Sequence, residues 1–215
     1  MPNEPVIVVA NHSQAQGPLL AALRYPRPKG IWCIGEMLNA REVPQYAYED
    51  FWRQKPIMIR WFFKLLSYII AIPASYALKH SDTIPVYKDS RIITTFKKTV
   101  ENLKEGNDVI IFPEWRTEHN EIINELQDKF VDVARLYYKT TGKKIKFVPM
   151  YHAANLKKVV FGNPIEFDPT LDMNLQRKLI CNHIKDEITR VAKDLPRHKV
   201  IPYNNISKKN YPYSK

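Results

Sequence analysis

A chain of 215 residues with 45% hydrophobic content can bury one core of ordinary domain size, and its formal net charge of +11 disfavours cationic partners and suits acidic ones. Its two cysteines, Cys33 and Cys181, lie far apart and in no metal-binding spacing, which argues against both a disulfide framework and a structural zinc site. No helix-turn-helix, zinc-finger or RNP signature accompanies the basic charge, so the expected partners are anionic lipid or an acidic carrier protein, not nucleic acid.

Residues 1–5 lack a basic stretch followed by an apolar run, so no secretory signal is expected. Residues 6–10 are a β-branched apolar run ending at Asn11, the pattern of a buried strand. Residues 13–23 begin polar, pass Gly17-Pro18 and turn apolar. That predicts a loop feeding a short helix with Pro18 in its first turn. Residues 30–34 read as a second strand. An apolar helical insert is expected at about 37–80, with Trp52 and Trp61 adding to its aromatic character. Within it, residues 57–78 carry charge only at Arg60 and Lys64, and Pro73 is expected to break the run. A bilayer span needs about 20 unbroken apolar residues. The insert therefore reads either as a buried helix pair or as a helix lying in a membrane interface. In the second case Trp61, Phe62 and Phe63 enter the lipid while Arg60 and Lys64 reach its phosphates.

Residues 84–87 predict a short strand, 91–105 an amphipathic helix closed by Gly106, and 109–112 another strand. Ile122, Leu126, Phe130, Val133 and Tyr137 fall at helical spacing and predict one long helix over 121–141, ended by Gly142. Residues 145–151 and 159–161 read as strands, and 175–195 as a last amphipathic helix. Residues 201–215 form a basic tail expected to be flexible. Strands alternating with helices predict an α/β fold: one domain over 1–200, with a mixed, largely parallel sheet flanked by helices.

In such folds ligands bind where loops leave the carboxyl ends of strands. Polar clusters fall at those places: Asn11-His12-Ser13, Tyr87-Lys88-Asp89-Ser90-Arg91 and Phe112-Pro113-Glu114-Trp115-Arg116-Thr117. Their order, together with Phe147-Val148-Pro149-Met150 and Phe161-Gly162-Asn163-Pro164-Ile165, resembles the glycerol-phosphate and lysophosphatidate acyltransferase family over residues 5–195. The resemblance implies transfer of a fatty acyl group from an acyl thioester, acyl-CoA or acyl-carrier protein, to a hydroxyl of a lysophospholipid or glycerol phosphate. It implies His12 as general base, Lys88, Arg91 and Arg116 as holders of the acceptor's phosphate, and Glu114 as the residue that positions the acceptor's polar head. It implies no metal and no cofactor beyond the thioester co-substrate. It also implies a peripheral place at the cytoplasmic face of a membrane.

The chain departs from the family pattern at telling positions. The aspartate that partners the family histidine is replaced by Gly17, and the Gly-Thr-Arg that follows Phe-Pro-Glu is shortened to Trp115-Arg116. Where the family has Asp-Arg, Tyr87-Lys88 stand, and lysine binds phosphate without a bidentate fork. Glu36, Asp82, Asp89 and Glu114 offer replacement carboxylates, and Gln14 or Gln16 a neutral hydrogen bond to the ring. If the relay is merely lost, Gly17→Asp is expected to raise activity. The alternative is a weakened or inactive relative that binds lipid or carrier protein.

Overall fold

The computed structural model describes residues 2–14, 16–49, 56–80, 82–87, 89–204 and 206–214, and at residues 74, 77 and 116–119 it describes the backbone alone. Trp52 and Lys88 lie outside the described residues, as does the side chain of Arg116.

In chain order the elements are β1 (Val6–Ala10), α1 (Gln16–Arg24), β2 (Lys29–Ile34), α2 (Val43–Ala47), α3 (Ile57–Lys79), β3 (Thr83–Val86), α4 (Ile92–Lys104), β4 (Asp108–Ile111), β5 (Glu114–His119), β6 (Asn124–Leu126), α5 (Asp132–Thr141), β7 (Lys146–Ala153), β8 (Lys158–Phe161), β9 (Ile165–Glu166) and α6 (Met173–Asp194). The fold is α/β, as the alternating pattern implies. The chain divides into two compact units, residues 1–30 with 96–215, and residues 31–95.

In the first unit β1 pairs in parallel with both β4 and β7, in the registers Val8↔Ile110 and Val8↔Val148. Every residue of β1 and β4 is buried, which explains why β1 and residues 109–111 of β4 read as apolar runs. β8 and β9 pair antiparallel with β7. Ile180, Ile184 and Ile188, one stripe of α6, are fully buried, and α6 packs on β7. Asp172 caps this helix by accepting from the N–H groups of Asn174 and Leu175. At the start of β1 and β4, Asp108, wholly buried, accepts from Val6 N at 2.9 Å and from the Tyr25 hydroxyl at 2.7 Å, with Arg27 Nε at 3.1 Å. Those bonds fix where β1 and β4 begin.

The helix expected over 121–141 is corrected. Its second half is α5, ended by Gly142 in the left-handed region at φ 71°. Its first half belongs instead to the antiparallel hairpin β5–β6. Asn120 explains the switch: its Oδ1 accepts from Ile122 N and Ile123 N, and Glu121 takes φ 72°, so the chain reverses where a helix would have continued.

In the second unit β2 and β3 pair in parallel, Ile31↔Thr83 through Ile34↔Val86. α3 runs for 23 residues and passes through Pro73 without ending. Pro73 removes one main-chain bond, and the helix continues to Lys79 on either side of that gap. Its buried stripe is made of small residues, Ser67, Ala71 and Ser75, and it packs against α2 and the 3-10 turn Gly35–Leu38. Its other face is apolar and exposed: Ile57, Met58, Trp61, Leu65, Ile69 and Ile72. This reverses the usual amphipathic arrangement. Phe63, grouped by sequence with Trp61 and Phe62, is half-buried, while those two are exposed. No helix among the described residues is long and apolar enough to cross a membrane.

Candidate active site around His12

β1 ends at Ala10, and the next residue takes over the sheet's pairing with its side chain. Asn11 Oδ1 accepts from His152 N at 2.7 Å, and Asn11 Nδ2 donates to His152 O at 3.3 Å and to Ser13 Oγ at 2.8 Å. The amide thus extends the β1–β7 ladder by one step and frees the main chain to turn. Ser13 and Gln14 then adopt φ of 45° and 55°. Consecutive left-handed non-glycine residues cost on the order of 1–3 kcal/mol each and persist where surrounding contacts hold them.

The turn carries the Gln14 carbonyl back onto the His12 ring, where it meets Nδ1. A carbonyl only accepts, so Nδ1 carries the proton and Nε2 of the neutral ring keeps the lone pair. The ring sits between Phe112, edge-on at 5.5 Å, and Tyr203, tilted at 4.7 Å. The Nδ1 partner seen here is thus a backbone carbonyl and not a carboxylate. Gln14 orients the ring through its carbonyl, while its side chain donates to the Tyr211 hydroxyl at 3.0 Å.

Gly17 stands where the surrounding backbone leaves no room for a side chain. Its N–H donates to the His12 carbonyl at 3.2 Å, and a Cβ added there would stand 2.4 Å from that oxygen and 2.9 Å from Asn11 O. The start of α1 is packed directly on the His12 main chain. This close approach argues against the expectation that Gly17→Asp restores a relay.

Glu114 stands at the head of β5 and is 3% exposed. Its Oε1 accepts from His12 N, and its Oε2 accepts from Asn124 N at 3.0 Å. The carboxylate thus ties the histidine loop to the β5–β6 hairpin, where Asn124 Nδ2 also donates to Trp115 O. Burial pushes the Glu114 pKa up to about 7, against the two main-chain donors that pull it down. Sequence reading gives Glu114 to the acceptor's polar head; the structure gives both its oxygens to main-chain N–H groups.

Arg91 belongs to the second unit. Its guanidinium grips Asp89 at 2.8–3.0 Å through Nε and Nη2 and lies 4.2 Å over the Tyr87 ring. The Arg91 bonds hold the Asp89 carboxyl at about 2, well below the usual carboxylate range. Among the described residues no cluster of His, Cys, Asp and Glu is arranged to hold a metal ion. A cavity of about 160 Å³ lies beside Gly17, walled by Leu20, Tyr25, Met150 and Phe161 and bordered by His152.

Asn124, Tyr203 and Tyr211 were not singled out by sequence reasoning. Asn11 was named beside His12 at a strand end, but its bonds to the His152 main chain were not foreseen. The tyrosines had none, since the Gln14–Tyr211 bond spans 197 residues.

No family model matches the sequence, and no curated protein matches it. Among solved structures, the crystal structure of the 1-acyl-sn-glycerophosphate (LPA) acyltransferase PlsC from Thermotoga maritima is similar, at 14% identity and a TM-score of 0.48, over 89% of this chain and 68% of that one.

Proposed function

We propose that the protein is an acyltransferase in which His12 Nε2 is the general base. In this reading the Nε2 lone pair takes the proton of an acceptor hydroxyl as that oxygen attacks the carbonyl of an acyl thioester. The tetrahedral intermediate expels the thiolate, the imidazolium returns the proton to it, and ester and free thiol leave. The acceptor is a lysophospholipid or glycerol phosphate, and the donor is acyl-CoA or acyl-carrier protein. The single observation that carries the reading is the His12 ring held at Nδ1 by a main-chain carbonyl at the end of a buried strand, which keeps Nε2 basic. Glu114 serves as the strut of the loop. Lys88, Arg91 and Arg116 are proposed for the acceptor's phosphate, with Arg91 having to exchange Asp89 for it. The apolar wall beside Gly17 suits an acyl chain.

A weakened relative is the second reading, and one observation favours it: a neutral carbonyl stabilises imidazolium less than a carboxylate does. Purified protein, labelled acyl-CoA or acyl-carrier protein and lysophosphatidate decide between them. His12→Ala is expected to lower turnover by roughly 10²–10⁴-fold. Transfer that survives the substitution removes the base, and a wild-type protein that binds lipid without transfer leaves the second reading standing.

We further propose that α3 lies on an anionic membrane surface, at the cytoplasmic face. Its exposed apolar face, with Met58 83%, Ile57 76% and Trp61 68% accessible, is accompanied by Arg60, Lys64 and Lys79 and by no acidic residue from 57 to 79. That pairing of apolar and basic side chains fits lipid tails and phosphates. Flotation with anionic and with neutral vesicles tests it, and protein that stays in solution with both would end the proposal.

A further inference from the structure

The segment after α6 turns back on itself. Lys199 and Tyr213 form an antiparallel bridge, Val200 N donates to Pro212 O at 2.9 Å, and Ser214 N donates to His198 O at 3.0 Å. The loop so closed is anchored through His198, which is 4% exposed. Its Nδ1 lies 2.8 Å from Pro196 O, an acceptor, so Nδ1 bears the proton. Nε2 then accepts from the Tyr151 hydroxyl on β7 at 2.8 Å. Burial, and after it the charge of Glu114, push the Tyr151 pKa up, which keeps that hydroxyl a donor. Asn155 Nδ2 adds a bond to Lys199 O at 3.0 Å.

Two tyrosines of this loop reach the His12 turn. The Tyr203 ring lies against the imidazole at 4.7 Å, and the Tyr211 hydroxyl takes the Gln14 side chain at 3.0 Å. Gln14 is also the residue whose carbonyl meets Nδ1, from a backbone in the left-handed region. A turn under that strain needs contacts from outside itself. A histidine free in water prefers the proton on Nε2, the form in which Nε2 has no lone pair to act as a base.

We propose that the 198–214 loop is a strap that holds the His12 ring in its Nδ1–H form, with Tyr203 and Tyr211 as positioning residues. Tyr203 limits the rotation of the ring, and Tyr211 limits the movement of the carbonyl that takes its proton. The catalytic consequence rests on the reading of His12 as the base; the structural consequence does not.

Long-range ¹H–¹⁵N correlation spectra of full-length protein labelled with ¹⁵N-histidine read the tautomer directly, with His12→Ala assigning the signal. The wild-type ring is expected as Nδ1–H. Tyr211→Phe, which loses the acceptor, and Tyr203→Leu, which loses the ring contact, are expected to move the signal toward Nε2–H. Tyr203→Phe, which keeps a ring at the contact, is expected to retain more of the wild-type tautomer than Tyr203→Leu. In the transfer assay kcat is expected to fall by about 10-fold in the first two variants, equivalent to about 1.4 kcal/mol, with KM unchanged. A wild-type ring in the Nε2–H form, or a tautomer unmoved in both Tyr211→Phe and Tyr203→Leu, overturns the strap. Transfer that persists in His12→Ala removes the base reading instead, and the spectra still decide the strap.

Discussion

The turn after β1 and the helix α3 treat water in opposite ways. At the turn, polar groups are withdrawn from solvent and matched: Asn11 with the His152 main chain, Glu114 with His12 N and Asn124 N. On α3, apolar groups are presented to solvent while serines are buried. Burying a polar group is tolerable where each hydrogen bond is replaced. Exposing an apolar face gains nothing for folding, so its use lies in what covers it. Stability should therefore respond to the turn, and surface binding to the helix.

The largest expected effect is at Glu114. Glu114→Ala strips two main-chain N–H groups of their acceptor, at about 1–3 kcal/mol each, and denaturant titration should find a loss of about 2–6 kcal/mol. Glu114→Gln sharpens the point through pH. The folded-state pKa is raised from 4.5 to about 7, so the native protein binds the proton more tightly than the unfolded chain. That contribution is full below pH 4.5 and is lost as pH rises through about 7, an effect of ~3 kcal/mol in total. Wild-type stability should fall across this window, and Glu114→Gln should flatten the slope. An unchanged slope would mean that Glu114 is not the buried acid.

Next in size is Gly17. Gly17→Ala drives a Cβ into a main-chain oxygen that cannot swing aside, and overpacking of this kind costs about 1–3 kcal/mol. Gly17→Asp meets the same oxygen with a larger side chain and adds a charge. Both should lower melting temperature and transfer rate together. A Gly17→Asp protein more active than wild type would show that the helix start yields, and would return the aspartate to the place the family pattern gives it.

Much of the frame was legible because its signals are local. Residues 6–10, 109–111 and 147–151 of β1, β4 and β7 are buried and read as apolar runs, and α6 shows its buried stripe in Ile180, Ile184 and Ile188. The hairpin β5–β6 was hidden because Ile122 and Leu126 also satisfy helical spacing, and the turn at Asn120 that decides the matter is a side-chain effect. His12 was found by its place in a motif. Its Nδ1 partner was not, because a main-chain carbonyl has no residue signature and neither Ser13 nor Gln14 advertises a left-handed backbone. The inverted face of α3 was half legible: composition marked the helix as apolar, while which side packs was fixed by α2 and the turn before it.

The smallest effects are expected on α3, and they complete the contrast. Trp61→Ser and Ile69→Ser remove exposed apolar surface, so stability should change by no more than about 0.5 kcal/mol. Vesicle binding should weaken in both, since each side chain that enters lipid contributes in proportion to its apolar area. Arg60→Gln and Lys64→Gln should each remove about 1 kcal/mol of attraction to anionic vesicles, roughly 5-fold in affinity, and this share should shrink as salt is raised. The serine variants should lose binding at every salt concentration, because apolar transfer is not screened. If the serine variants instead unfold the protein while vesicle binding per folded molecule is untouched, the exposed face of α3 is covered in solution by protein and not by lipid.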